Sequence, residues 1–93
     1  MILNFRSKQT EQIWRGGYVK GFPSDIQEVA RRKLRMLNNA TRLEDLRIPP
    51  ANRLEALKGE RKGQHSIRIN DQWRLCFSWT DAGVSNVEIV DYH

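Results

Sequence analysis

The spacing of apolar residues changes part-way along the chain, and that change predicts the architecture. At the start, Ile2, Leu3 and Phe5 form a short β-like run. SKQTEQIWRGG then reads as a short helix, with Thr10 and Glu11 near its start and Gly16-Gly17 as its stop. YVKGFP, punctuated by Gly21 and Pro23, is expected to be a loop with freedom to move. Ser24 and Gln27 have the spacing of a capping box, in which each side chain satisfies the other's free backbone N–H, so a second helix is expected from Ser24. Within it Ile26, Val29, Ala30, Leu34 and Leu37 recur at steps of three and four, making one apolar stripe. Arg31, Arg32, Lys33 and Arg35 fall mostly elsewhere, and a solvated charged face is a commoner meaning of that pattern than a phosphate contact. Asn38-Asn39 closes the helix. Thr41 and Glu44 repeat the capping-box spacing, which predicts one or two helical turns before Pro49-Pro50.

From Asn52 the period drops to two. NRLEALKG alternates as a strand and GERKG is a polar turn bounded by glycine. QHSIRIN places His65, Ile67 and Ile69 on one side, with Ser66 and Arg68 on the other. Asn70-Asp71 turns the chain into QWRLCFSW, where Trp73, Leu75, Phe77 and Trp79 point one way and Arg74, Cys76 and Ser78 the other, the strongest pattern in the chain. TDAG leads to VSNVEIVDYH, in which Val87 and Ile89 oppose Glu88 and Val90, predicting a third antiparallel pairing. Helices precede strands instead of alternating with them. The expectation is one α+β domain over residues 1–93, its N-terminal helices packed on one face of a mostly antiparallel β-sheet meander and the other face open.

Composition narrows the partners. Sixteen Lys and Arg against eleven Asp and Glu give a formal charge of +5, which favours an anion such as nucleic acid and serves equally well to keep a small protein soluble. With 39% hydrophobic and 29% charged residues the chain is expected to fold. The lone cysteine, Cys76, lies within an apolar strand pattern and reads as buried filler of a reduced, cytoplasmic protein. MILNFRSKQT has no long apolar core, and no run approaches the ~18 apolar residues that span a bilayer, so secretion and membrane insertion are not expected.

Candidate chemistry is found by elimination. There is no C-x-x-C, H-E-x-x-H or EF-hand pattern, and His65 and His93 stand far apart, so no metal site is expected. Neither a Gly-rich phosphate cradle nor a G-x-S-x-G elbow occurs. What remains is Asp91-Tyr92-His93, just past an apolar strand, and the cations of the open sheet face: Arg74 in mid-strand, with Lys58 and Arg68 on strands or turns entering the same sheet. Alone, such a tail is more often solvated than catalytic, and Arg74 has two readings, a phosphate contact or a salt bridge to Glu88 or Asp91. RNA cleavage without metal needs a base for the ribose 2′-OH, an acid for the leaving 5′ oxygen and cations for the phosphorane, and this inventory supplies them. Two tryptophans and a tyrosine are able to stack on an unpaired base, although Trp73 and Trp79 read first as core.

NRLEALKGERKGQHSIRINDQWRLCFSW and the closing VEIVDYH resemble the HigB-type toxins of the RelE/ParE superfamily, also described as plasmid maintenance system killer proteins. The resemblance runs nearly end to end, and its most specific pieces are LKG-x-R-x-G followed by SI, the N-x-x-W-R-L/I-x-F strand and the terminal DYH. It implies a RelE-like fold and a ribosome-dependent mRNA endonuclease, an mRNA interferase that inhibits translation and arrests growth. It further implies cleavage in the decoding site without metal or cofactor, leaving a cyclic phosphate. The implied partner is a HigA-type helix-turn-helix antitoxin, through which the toxin–antitoxin complex binds operator DNA. By position, Asp91, Tyr92 and His93 match the family's C-terminal triplet, Arg74 the arginine after the strand tryptophan and Lys58 the lysine of the LKG motif. The resemblance assigns His93 to proton exchange with the ribose and Arg74 and Lys58 to the scissile phosphate. It assigns Tyr92 to orienting or stacking on RNA and Asp91 to positioning His93. Arg68, Gln72 and Glu55 are expected as further RNA contacts. Glu55 stands where some members carry histidine, so it either replaces that base or leaves the protein slower or differently tuned. His65 matches no family role and reads as a packed strand histidine.

Two other classes compete. One is a toxin of the same superfamily that binds a protein target such as DNA gyrase without catalysis. The other is a basic RNA-binding module with DYH as a mere tail, which would keep its affinity when the last three residues are deleted.

Overall fold

The structure is a computed structural model that describes residues 1–92. Two helices, α1 (Lys8–Trp14) and α2 (Ser24–Asn39), precede four strands: β1 (Glu55–Ala56), β2 (His65–Arg68), β3 (Trp73–Thr80) and β4 (Gly83–Asp91). The strands form one antiparallel meander in the order β1-β2-β3-β4. Both helices lie against one face, as the sequence predicted. Short 3-10 turns at Leu43–Arg47, Pro50–Asn52 and Gly59–Arg61 fill the connection into and out of β1. Among the described residues no helix is long and apolar enough to cross a membrane.

The core forms where the two periodicities meet. Ile26, Ala30, Leu34 and Leu37 of α2 are buried against Ile67, Leu75, Phe77, Val84, Val87 and Ile89 of the sheet. Trp73 closes one end, with the Phe22 ring edge-on at 5.3 Å. Val84 and Val87 are an odd number of residues apart yet both are buried, because the β3–β4 register shifts between Cys76 and Ser78. Asn86 absorbs the extra residue in the left-handed region (φ 54°), a conformation asparagine tolerates, and its N–H donates to Asn4 Oδ1.

The outer edge of β4 is closed by the first six residues, which run parallel to it. Ile2 and Phe5 bridge Val84 and Val87, and Leu3 N–H donates to the Val84 carbonyl. The expected opening strand is thus present as two isolated bridges. Gly83 is required here: at φ 148° a Cβ would stand 2.6 Å from the Met1 carbonyl oxygen. Farther along, the Ile89 N–H donates to Thr10 Oγ1, a fully buried hydroxyl that also bonds Ser7 Oγ. An edge covered in this way offers no ladder for another chain.

Several local expectations need correction. Helix α1 starts earlier than Thr10, because Ser7 Oγ caps the Thr10 N–H. Helix α2 does begin at Ser24, but the Ser24–Gln27 capping box does not form. Gln27 is buried and turns back, accepting from Val19 N–H and donating to the Val19 and Phe22 carbonyls. Arg31 adds bonds to the Ile13 and Gly17 carbonyls, so the Gly16–Pro23 loop is tied down by two side chains of α2. Arg31 therefore does not belong to a wholly solvated charged face, and neither does Lys33, which donates to the buried Asn52. In the next turn the capping acid is Asp45 and not Glu44: its carboxylate accepts from the Thr41 and Arg42 N–H groups. The strand expected across NRLEALKG shrinks to Glu55–Ala56.

Candidate active site

The face of the sheet opposite the helices carries the polar partners of each register pair. Antiparallel pairing sets Glu55 across from Ser66, Ser66 across from Cys76, and Arg68 across from Arg74, while Arg74 lies across from Val90. Residues directly opposite share a face. The three strands thereby gather Glu55, Ser66 and Arg74 at one place.

Arg74 is the hub. Its Nε donates to Ser66 Oγ at 2.8 Å, Nη2 donates to the Arg53 carbonyl at 2.7 Å, and Nη1 lies 2.8 Å from Glu55 Oε1. Both expected salt-bridge partners, Glu88 and Asp91, are displaced by Glu55. The Arg74 side chain is only 13% exposed, whereas Glu55 is 52% exposed, so a permanently charged guanidinium is fixed beneath a carboxylate open to solvent. Ser66 is fully buried and cannot swing away. Arg53 presents its carbonyl from a left-handed backbone (φ 46°), a conformation that costs a non-glycine residue free energy and persists only where its surroundings hold it.

The chain's last described residues come back over this hub. Tyr92 N–H donates to the Gln72 carbonyl at 2.6 Å, extending the β3–β4 ladder one step past the Trp73–Asp91 pair. That step puts the Tyr92 ring 5.9 Å from the Arg74 guanidinium carbon, a cation–π contact worth about 0.5–1 kcal/mol at an exposed site. Asp91, one residue earlier, is on the other side of the strand, where its carboxylate accepts from Gln72 Nε2 at 3.1 Å. Gln72 therefore places the tail with both main chain and side chain. His93 lies outside the described residues.

Of the remaining expected residues, Lys58 sits exposed at the start of the 3-10 turn Gly59–Arg61, two residues beyond β1. Among the described residues its ammonium makes no hydrogen bond or ion pair. Arg68 is bound to Asp71, and this guanidinium holds the Asp71 carboxyl below the usual carboxylate range. The sequence reading thus named three residues that meet, Arg74, Glu55 and Tyr92, and two that meet beside them, Gln72 and Asp91.

It missed Ser66 and Arg53, which aim the guanidinium, and a second ion pair on the same face, Arg61 to Glu88 at 3.2 Å. Arg61 had a visible signal, being the arginine of LKG-x-R-x-G; the Arg53 backbone had none. Cys76 lies on this face but is fully buried, and burial pushes its thiol up, so it acts as packing and not as a nucleophile. His65 stacks on Phe77 at 6.2 Å, in keeping with a packed strand histidine, although among the described residues its buried Nδ1 has no hydrogen-bond partner, an exception to the usual pairing of buried polar atoms.

As chemistry, the cluster offers a fixed cation for a phosphate, a carboxylate within reach of the same position, and an aromatic face alongside. Among the described residues no group of histidine, cysteine, aspartate and glutamate side chains is arranged to hold a metal ion.

Comparison with known proteins agrees along the whole chain. Residues 3–93 match the family described as RelE-like toxin of type II toxin-antitoxin system HigB. Toxin HigB-1 of Vibrio cholerae is 44% identical over 94 aligned positions, covering all of this chain and 98% of the relative. A protein named Endoribonuclease HigB from Proteus vulgaris is 27% identical over 93 positions, covering both chains completely. The sequence resemblance and the α+β meander therefore lead to one assignment: this chain belongs to the HigB-like toxin family, the RelE-like toxins of type II toxin–antitoxin systems, and its counterpart is an antitoxin.

Proposed function

We propose that this toxin is an endoribonuclease that cuts messenger RNA in the decoding site of the ribosome and so arrests translation. The observation that supports this most is the Arg74–Glu55 pair beside the Tyr92 ring, a fixed cation with a solvent-exposed carboxylate at 2.8 Å on the sheet face away from the helices. The Proteus vulgaris relative bears the name of an endoribonuclease, and this chain matches it over its full length.

In the proposed reaction Arg74, with Lys58 brought up from its exposed turn, holds the scissile phosphate. Glu55 uses Oε1 against Arg74; among the described residues its second oxygen has no partner, and it takes the proton of the ribose 2′-OH. The 2′ oxygen then bonds to phosphorus, the bond from phosphorus to the 5′ oxygen breaks, and the leaving oxygen receives a proton from His93. A cyclic phosphate and a 5′-hydroxyl remain. Positioned acids and bases each contribute about 10² to 10⁴-fold in rate, and a pre-oriented cation stabilises the developing phosphorane charge. Tyr92 stacks on or orients the RNA, Asp91 positions His93, and Arg68 and Gln72 add contacts along the strand.

The antitoxin in this reading is a helix-turn-helix protein that carries the complex to operator DNA, and the toxin acts in the cytoplasm. Mapping mRNA 5′ ends after induction, with and without active ribosomes, tests the proposal. Cuts within translated frames that vanish when ribosomes are blocked are expected; gyrase-linked DNA damage without mRNA cuts would overturn it.

A further inference from the structure

A second cationic site lies around the sheet edge from Arg74. Arg32 and Lys33 of α2 and Arg68 of β2 line a hollow of about 280 Å³ floored by Val29, Met36 and Ile69. Three cations converge there with one acid, Asp71, whose side chain is almost entirely exposed and bound to Arg68. Lys33 leans on a neutral oxygen, Asn52 Oδ1. Among the described residues Arg32 makes no hydrogen bond or ion pair. Burial first, and then the neighbouring charges of Arg32 and Arg68, push the Lys33 ammonium down from its usual value. A second observation points the same way: Arg68 and Arg74 stand directly opposite each other across β2 and β3. Like charges in that relation destabilise a sheet, and each of these two has one solvent-exposed carboxylate beside it, Asp71 and Glu55.

The hollow is joined to the Arg74 site by a short covalent path. Asn52 accepts from Lys33, and the next residue, Arg53, gives its carbonyl to Arg74. Cations therefore run from Arg74 through Arg68 to Lys33 and Arg32. We propose that this hollow is a second phosphate subsite, which takes a backbone phosphate of the same RNA strand whose scissile phosphate meets Arg74. A run of cations suits a polyanion better than one acidic side chain, because each phosphate along a strand offers a further charge. The inference rests on Arg74 as the scissile-phosphate ligand, and its test separates the two.

The probe is a fluorescent 2′-O-methyl RNA oligomer, which cannot be cleaved, titrated against the full chain by anisotropy across a salt series. For single strands each phosphate contact contributes about 0.7 to the slope of log affinity against log salt. The R32Q/K33Q double variant is expected to lower that slope by about 0.7 to 1.4 and to weaken binding several-fold at low salt. Arg32→Gln alters an exposed residue only and is expected to give part of the loss in a chain that folds normally, which guards against a double variant that unfolds. An unchanged slope in both variants overturns the subsite. So does a hollow that protects against thermal unfolding with inorganic phosphate while the RNA slope stays put, or one whose variants weaken antitoxin binding alone. Arg74→Ala is run beside them: retained mRNA cleavage there, with a reduced slope in R32Q/K33Q, would sink the catalytic reading and leave the hollow standing.

Discussion

Glu55 and Arg74 meet at 2.8 Å although β2 lies between their strands. The pair spans the sheet because Ser66, between them, is small, buried and itself bonded to Arg74. A phosphate that reaches Arg74 arrives beside a carboxylate already in place.

Glu55 is then expected to be needed for cleavage. Glu55→Ala should slow single-turnover mRNA cutting by about 10² to 10⁴-fold, and Glu55→His should recover much of that loss by supplying another base. If Glu55 only occupies Arg74, the alanine variant will cut faster than wild type instead, and the single-turnover rate tells these apart.

Arg74→Lys tests the geometry of the hub. A lysine keeps the charge but cannot hold Ser66, the Arg53 carbonyl and Glu55 together while also facing phosphate. Toxicity should fall nearly as far as in Arg74→Ala. Both variants should stay folded but lose about 1–3 kcal/mol of stability, since a buried hydroxyl is left without its partner. Growth arrest and a chemical-denaturation midpoint measure the two effects separately.

At the tail, Tyr92→Phe keeps a ring over Arg74 and should remain toxic, whereas Tyr92→Ala should reduce cleavage. His93→Gln should relieve growth arrest without changing the melting temperature. Full toxicity in both Tyr92→Ala and His93→Gln would show that the tail takes no part.

Thr10→Val keeps the shape of a buried side chain and removes its oxygen, so the Ile89 N–H loses its acceptor. A cost of about 1–3 kcal/mol is expected. In a domain of this size that lowers the melting temperature by roughly 4–8 °C per kcal/mol, which calorimetry would register.

Asp45 sets an acid dependence. Hydrogen bonds from the Arg42 and Thr41 backbones, then from the Thr41 hydroxyl, hold its carboxyl below the usual value. A group depressed in the folded state stabilises it above the unfolded pKa of about 3.9, and that contribution disappears as pH falls through the lower folded value. Urea midpoints of wild type and Asp45→Asn should therefore differ near neutral pH and converge as the pH falls below the usual carboxylate range. Parallel curves over that range would exclude the linkage.

The order of elements, the meander and most of the core were legible because they depend on periodicity alone: the stripe on α2 and the alternation of Trp73, Leu75 and Phe77 survive into the folded state. Legibility failed where a side chain chose a distant backbone partner. Gln27 has the spacing of a cap and serves the Val19 loop instead, and Arg31 looks solvated while it holds Ile13 and Gly17. The same limit governs the site. Arg74 and Tyr92 could be named in advance, yet the partner of Arg74 depends on strand register and on a left-handed Arg53, neither of which leaves a mark in local sequence.

The extra residue at Asn86 decides which face every later side chain of β4 adopts. If that residue were drawn into the regular ladder instead of bulging out, the strand from Val87 onward would change phase: alternating positions would trade sides, Val87 and Ile89 would turn to water, and the tyrosine ring would leave the arginine. The toxin's aromatic contact is thus metered by the bulge at a single asparagine far from it along the strand, whereas loss of that codon would restore plain alternation and leave Val87, Ile89 and Tyr92 on the sides they already hold.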